Sequence, residues 1–359
     1  MKYIDEYRKK DLILAVADEL KRVSKKEISL MEVCGGHTMA IHRFGLHSLL
    51  PSNIHLLSGP GCPVCVSGQR FIDMAIAYGK LPGFIITTYG DLIRVPGSVT
   101  SLEKEKANGA DVRIVYSTLD AIEIAKNNPV KKVVFLGIGF ETTAPATAAS
   151  ILQAQKENVN NYFVLSAHKV MPPVMQALVE DGVKIDGFIA PGHVTAITGT
   201  SIYEGLATKY GLGVVVSGFE PVDLMQAILL LVEQFESGQP KVDSQYKRVV
   251  HKEGNLIAQR ILDQVFELMD ESWRGLGMIP LSGLKIKPDF SAFDVEVQFP
   301  IDVPYVPEPK GCICGPILRG LKTPLDCKLF GKKCTPSDPV GACMVSGEGT
   351  CATYFKYRE

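Results

Sequence analysis

From about residue 28 the chain alternates short apolar runs with longer stretches whose apolar residues recur at helical spacing. The runs at 28–33, 54–58, 84–88, 112–116, 133–138, 161–166, 187–190 and 213–217 read as strands. They recur roughly every 25 to 30 residues, the length of a strand–helix unit in a parallel sheet. The class expected is therefore α/β. The strand ends echo one another: "EVCGGHTMA" (32–40) resembles "LGIGFETTA" (136–144), and "LLSGPGCPV" (56–64) resembles "FIAPGHVTA" (188–196). We expect a degenerate internal duplication rather than one barrel: two Rossmann-like, doubly wound parallel-sheet domains facing a cleft. Domain I spans 28–125 and domain II spans 126–238, closed by the SGQP turn (237–240). Residues 254–270 read as an amphipathic helix. Beyond it "FPIDVPYVPEPKGCICGP" (299–316) is proline-rich and leads into a cysteine-dense tail. Residues 239–359, with the helical segment 1–27 packed on them, are expected to form a loop-rich C-terminal domain III.

Ligands of open parallel sheets bind beyond the carboxyl ends of the strands. The loops at those ends carry Cys34, His37 and Thr38; Cys62 and Cys65; Asp91 and Arg94; Glu141; and His193. Two facing halves would line a cleft with Cys34, His37, Cys62, Cys65, Glu141 and His193, and Asp91 with Arg94 would add a polar wall.

Composition narrows the function. A formal charge of −1 gives no bulk attraction to nucleic acid or to an anionic membrane. The longest strongly apolar run, Ala227 to Val232, is far too short to span a bilayer. The opening "MKYIDEYRKKDLILAVADEL" mixes acids and bases and lacks the layout of a signal peptide. A cytoplasmic location is expected, and in a reducing compartment the nine cysteines are metal ligands or redox groups before they are staples. Cys34, Cys62 and Cys65 come early, whereas Cys312, Cys314, Cys327, Cys334, Cys343 and Cys351 crowd the end. Two separate tasks follow.

"GPGCPVC" supplies a CxxC with a proline between the thiols, the layout of a redox dithiol; half of a zinc site is the rival. Cys34 stands before Gly35 and Gly36, where backbone amides could approach and lower its pKa, and His37 could act as base, donor or ligand. The plain alternative is a buried cysteine beside a helix cap formed by Thr38. In the tail, the C-x12-C-x6-C spacing from Cys314 is followed by x16 to Cys351. That is neither a zinc-knuckle pattern nor a compact ferredoxin run. Thiolates in such glycine- and proline-broken loops suit an iron–sulfur cluster, with zinc or unligated cysteines as the other readings.

Taken in order, "CGGHT", "GPGCPVC", "TYGDLIRVPG", "GFETTAP", "SAHKVMPP", "PGHV" and "CTP…CMVSGEGTC" resemble the HypD family of hydrogenase maturation factors along almost the whole chain, from about residue 30 to 355. The resemblance implies a scaffold for assembling the Fe(CN)2CO unit of NiFe-hydrogenases. It implies iron held by Cys34 together with a thiolate of a HypC-type small chaperone, and a HypE-type cyanide donor docking on that complex. It also implies a 4Fe-4S cluster on Cys314, Cys327, Cys334 and Cys351, a dithiol relay at Cys62 and Cys65, and a cleft lined by His37, Thr38, Glu141 and His193. Neither nucleic acid nor membrane is an expected partner. A cluster-dependent protein disulfide reductase using Cys62 and Cys65 is the rival enzyme, and a zinc-stapled docking platform the rival structural protein.

Overall fold

The computed structural model describes residues 5–357, and in it each of the eight expected runs is a strand. In chain order they are β1 (Ile28–Glu32), β2 (Ile54–Ser58), β3 (Phe84–Thr88), β4 (Val112–Ile114), β5 (Lys132–Gly139), β6 (Tyr162–His168), β7 (Gly187–Pro191) and β8 (Gly213–Ser217). Three more follow: β9 (Val242–Ser244), β10 (Phe266–Trp273) and β11 (Gly277–Ile286).

Two parallel sheets carry the fold, one ordered β2-β1-β7-β8-β9 and the other β4-β3-β5-β6. The architecture is thus two doubly wound, Rossmann-like sheets, but the chain is not shared between them as contiguous halves. β1 pairs with β2 and β7, while β3 pairs with β4 and β5. The division into 28–125 and 126–238 is therefore corrected: the whole second sheet is inserted between β2 and β7 of the first. Both sheets place their first strand in the middle, the second on one side and the third on the other. The textual echoes joined strands that are not equivalent in this order. Any strand that turns sharply into a helix favours the same small residues, so likeness at a turn does not report pairing.

Successive residues of the inner strands β1, β7 and β8 bury opposite ways, which is why these strands read as nearly unbroken apolar runs. Ile28, Leu30, Ile189 and Val215 face helices Lys10–Val23, Gly35–Arg43 and Pro221–Ser237. Met31, Phe188, Val214 and Val216 face helix Met171–Glu180 and the cysteine-rich tail. The N-terminal helix thus packs on the first sheet and not on the tail, because Ala17 and Leu20 complete the apolar layer formed by Leu224 and Ile228.

The expected helix 254–270 is also shortened. Helix Leu256–Val265 stops where Phe266 opens β10, which pairs antiparallel with β11. This hairpin packs Phe266, Leu284 and Ile286 against the second sheet. Residues 239–359 are consequently divided among three places: β9 extends the first sheet, the hairpin covers the second, and the loop-rich tail closes over both. Among the described residues, no helix is long and apolar enough to cross a membrane.

Candidate functional site

In the first sheet the winding reverses between β1 and β7, the place where such sheets open a crevice. Cys34 is the residue just before helix Gly35–Arg43, and His193 lies in the first turn of helix Gly192–Thr198 after β7. Cys34 Sγ and His193 Nδ1 stand 4.0 Å apart. They line an open pocket with Gly36, Met39, Arg43, Phe219 and, from the tail, Glu348. Arg8 and Glu220 close its rim as an ion pair. The expected lowering of the Cys34 pKa is corrected. Burial first, then the Glu348 carboxylate, pushes the thiol up to about 12, outweighing the backbone N–H groups of His37 and Gly36.

His37 does not line the pocket. It is fully buried with its ring 4.9 Å from that of Phe219. Its nitrogens face the Ser217 and Gly218 backbone, but neither has a partner at normal hydrogen-bond geometry. Burial, then the neighbouring His193, lowers its pKa to about 3, so the ring is neutral. Thr38 is a buried positioning group: its hydroxyl donates to Glu32 Oε1 at 3.0 Å. Ser58 donates to the same oxygen at 2.8 Å, so Glu32 ties the ends of β1 and β2 to the helix that starts after Cys34. Glu32 Oε2 has no partner, and burial pushes this carboxyl up to about 8. Sequence reasoning passed over Glu32, although a lone carboxylate inside the run "ISLMEV" was a signal.

The CxxC loop lies against the same strand end. A Cβ on Gly61 would come 2.2 Å from Cys34 N, and Gly35 N–H donates to Gly61 O at 3.1 Å. Cys62 caps the short helix Pro63–Val66 by accepting from Cys65 N–H, and the two cysteines are joined as a disulfide. Cys65 is fully buried. Its Sγ is 3.0 Å from where a Cβ on Gly349 would stand, two residues before Cys351. The loop thus touches Cys34 on one side and the tail on the other. Gly35 serves this closure as well, since a Cβ there would meet Glu348 O at 2.3 Å.

In the tail, Cys312, Cys314, Cys327, Cys334 and Cys351 line one pocket, walled otherwise by apolar side chains such as Ile317, Leu329, Phe330 and Met344. Cys312 and Cys314 bring their sulfurs to 3.1 Å. Cys343 is buried behind them and outside this lining. Burial, then the neighbouring thiols, raises Cys351 well above an ordinary cysteine. Among the described residues no group of three or more His, Cys, Asp or Glu side chains is set closely enough to hold a single ion. The thiols ring a space instead, and soft sulfur donors around an apolar pocket fit a polynuclear iron–sulfur group.

Asp91 and Glu141 belong to the corresponding crevice of the second sheet, between β3 and β5. Asp91 is exposed and pairs with Arg94 at 3.7 Å, whose Nη2 donates to Val345 O in the tail at 3.1 Å. Glu141 is buried; its Oε1 accepts from Met171 N–H at 2.9 Å and its Oε2 has no partner. Burial pushes its pKa up to about 7. Neither residue lines the Cys34 pocket, so the expected shared cleft is corrected: of its residues, Cys34 and His193 face that pocket. Glu141 instead holds the start of helix Met171–Glu180 through the Met171 N–H, and it shares Tyr203 as a neighbour with Cys34.

A family model described as "HypD: Hydrogenase formation hypA family" matches residues 9–358. The chain is 49% identical to hydrogenase maturation factor HypD2 of Bradyrhizobium diazoefficiens, across 99% of this chain and 97% of that protein. It is 46% identical to hydrogenase maturation factor HypD of Cupriavidus necator, across 99% and 97% of the two chains. With HypD of Escherichia coli the identity is 43%, across 100% and 99%. A family model over residues 9–358 and relatives at 43–49% identity across almost the whole chain place it in the HypD family of hydrogenase maturation factors.

Proposed function

We propose that this maturation factor is the cytoplasmic scaffold on which the Fe(CN)2CO unit of NiFe-hydrogenase is assembled. The observation that carries the reading is the CxxC loop, packed by Gly61 against Cys34 and by Cys65 against Gly349 beside Cys351. The iron is cargo. Cys34 supplies one thiolate from the floor of an open pocket, and a HypC-type chaperone supplies a second from solvent. A HypE-type donor docks on that complex. Soft thiolates suit low-spin iron that carries strong-field cyanide and carbon monoxide. His193, 4.0 Å from Cys34 Sγ, would be one polar contact for a ligand on that iron, beside Arg43 and Glu348 of the same pocket.

Cys314, Cys327, Cys334 and Cys351 would hold the resident 4Fe-4S cluster. When bound, that cluster supplies electrons one at a time. The Cys62–Cys65 disulfide accepts two electrons and two protons to become two thiols, which matches it to ligand chemistry at Cys34 that single electrons serve poorly. The burial of both sulfurs weighs against the rival reading: Cys65 is 0% and Cys62 4% exposed, which leaves a protein disulfide substrate no approach.

Co-purification with the HypC-type chaperone, followed by infrared spectroscopy, tests the proposal. Cyanide and carbonyl stretching bands are expected in the complex from cells that hold the maturation pathway. A complex that forms and carries iron but shows neither band would contradict it.

A further inference from the structure

β10 ends in Trp273, and the turn to β11 begins with Arg274 and Gly275. Arg274 is only 3% exposed. Its backbone N–H donates to Val66 O and its Nε–H to Ser67 O, both at 2.9 Å, so it closes the carboxyl end of the helix that carries the CxxC. On its other side, Gly275 lies face to face with Gly315: a Cβ on Gly315 would stand 2.5 Å from Gly275 O. Arg274 is thereby wedged between the residue after the CxxC helix and the residue after Cys314. Its charge acts on the sulfurs of both Cys314 and Cys343.

No carboxylate forms an ion pair with Arg274 among the described residues, and its Nη2 has no hydrogen-bond partner. A guanidinium keeps its charge in proteins, and a buried charge without a counter-charge is strongly unfavourable. Glu308, whose Oε1 accepts from Gly275 N–H at 2.8 Å, is engaged by the backbone beside Arg274 and forms no ion pair with the guanidinium among the described residues, and the other groups able to supply that counter-charge are the tail thiolates. We propose that Arg274 is the fixed counter-cation of the tail cysteine centre, stabilising its more negative, reduced state while holding the CxxC helix against it. The proposal rests on the reading that these cysteines hold an iron–sulfur cluster. A capping role alone is the competing account, since two of the hydrogen bonds of Arg274 serve the helix end. Charge and capping separate by substitution. Arg274→Gln keeps a side-chain donor and loses the charge, whereas Arg274→Lys keeps the charge and loses the planar fork.

The test uses anaerobically reconstituted full-length protein, with iron and sulfide measured first and a redox titration followed by absorbance and electron paramagnetic resonance. Arg274→Gln should lower the reduction equilibrium of the centre about tenfold, a shift of ~59 mV for a one-electron couple, with Arg274→Lys staying close to wild type. A loaded Arg274→Gln protein that titrates with wild type overturns the inference and leaves the capping role. If Arg274→Gln cannot be folded and loaded but Arg274→Lys can, the need for the cation is upheld. If both fail, shape rather than charge is required and the inference falls. Wild-type protein that takes up no iron and sulfide sinks the cluster reading itself, and this inference with it.

Discussion

At the crevice of the first sheet, between β1 and β7, a thiol and an imidazole face an open pocket. At the corresponding point of the second sheet, between β3 and β5, Asp91 pairs with Arg94 at the surface and Glu141 turns inward to Met171. The strand order around the two points is the same. What differs is what the crevice is used for: the first presents chemistry, whereas the second anchors other parts of the chain, through Arg94 to Val345 and through Glu141 to Met171. Topology supplies a place for a site, and side chains decide whether it becomes one.

The comparison breaks most sharply at the thiols. Cys327→Ala should remove the iron and sulfide of the tail centre entirely, while Cys343→Ala and Cys312→Ala keep four irons, measured by metal analysis of anaerobic protein. Full iron retention in Cys327→Ala would falsify the ligand set.

Backbone substitutions sharpen the contrast between the crevices. A Cβ on Gly61 meets the Cys34 backbone at 2.2 Å, while one on Gly90, just after β3, meets only an Ile114 methyl at 3.8 Å. Gly61→Ala should cost about 3 kcal/mol in urea denaturation, as an overpacked core position does. Gly90→Ala should stay within about 0.5 kcal/mol. Equal effects would mean that the first crevice is no tighter than the second.

Acid should act on the first crevice through His37, while base acts on both, through Glu141 in the second and Glu32 in the first. Glu141, with its folded pKa raised to about 7, binds its proton more tightly folded than unfolded. Its contribution is complete below the unfolded value near 4.5 and is lost as pH rises through 7, on the order of 3 kcal/mol at most. Glu141→Gln should remove its share of the alkaline decline in thermal melts and leave the share of Glu32, whose carboxyl is pushed up to about 8. His37 is held down to about 3, so its contribution is complete above the unfolded value near 6.5 and is lost on acidification. That loss should be ~2 kcal/mol between pH 6.5 and 5, and His37→Phe should remove it. In wild type the two slopes offset each other between pH 5 and 6.5, so the single variants carry the test: Glu141→Gln and His37→Phe proteins that both melt in parallel with wild type from pH 5 to 8 would contradict both assignments.

The inner strands β1, β3, β5, β7 and β8, with β6, were legible because each is buried on two sides, so its residues stay apolar without alternation. Their pairing was not legible, because nothing within 54–58 or 84–88 says that β2 and β3 belong to different sheets. β10 was hidden for a related reason. "FELMDESW" continues the spacing of helix Leu256–Val265, and only its pairing with β11 makes it a strand. Among the site residues, Cys34, Cys62, Cys65 and the tail cysteines announced themselves by residue type and spacing. Glu32 stood out as a carboxylate in an apolar run. Arg274 left no local trace, since its meaning comes from Ser67 and Cys314, which folding brings to it from distant parts of the chain.

The central claim is that Cys34 holds the iron, and Cys34→Ser tests it most directly. Serine keeps the size and polarity but replaces a soft thiolate with a hard, protonated hydroxyl. Infrared spectra of the chaperone complex purified from cells with the maturation pathway intact should lack the cyanide and carbonyl bands, while the same protein stays folded and keeps its tail iron. Bands at wild-type intensity in Cys34→Ser would show that the iron sits elsewhere and that the Cys34 pocket is not the assembly site.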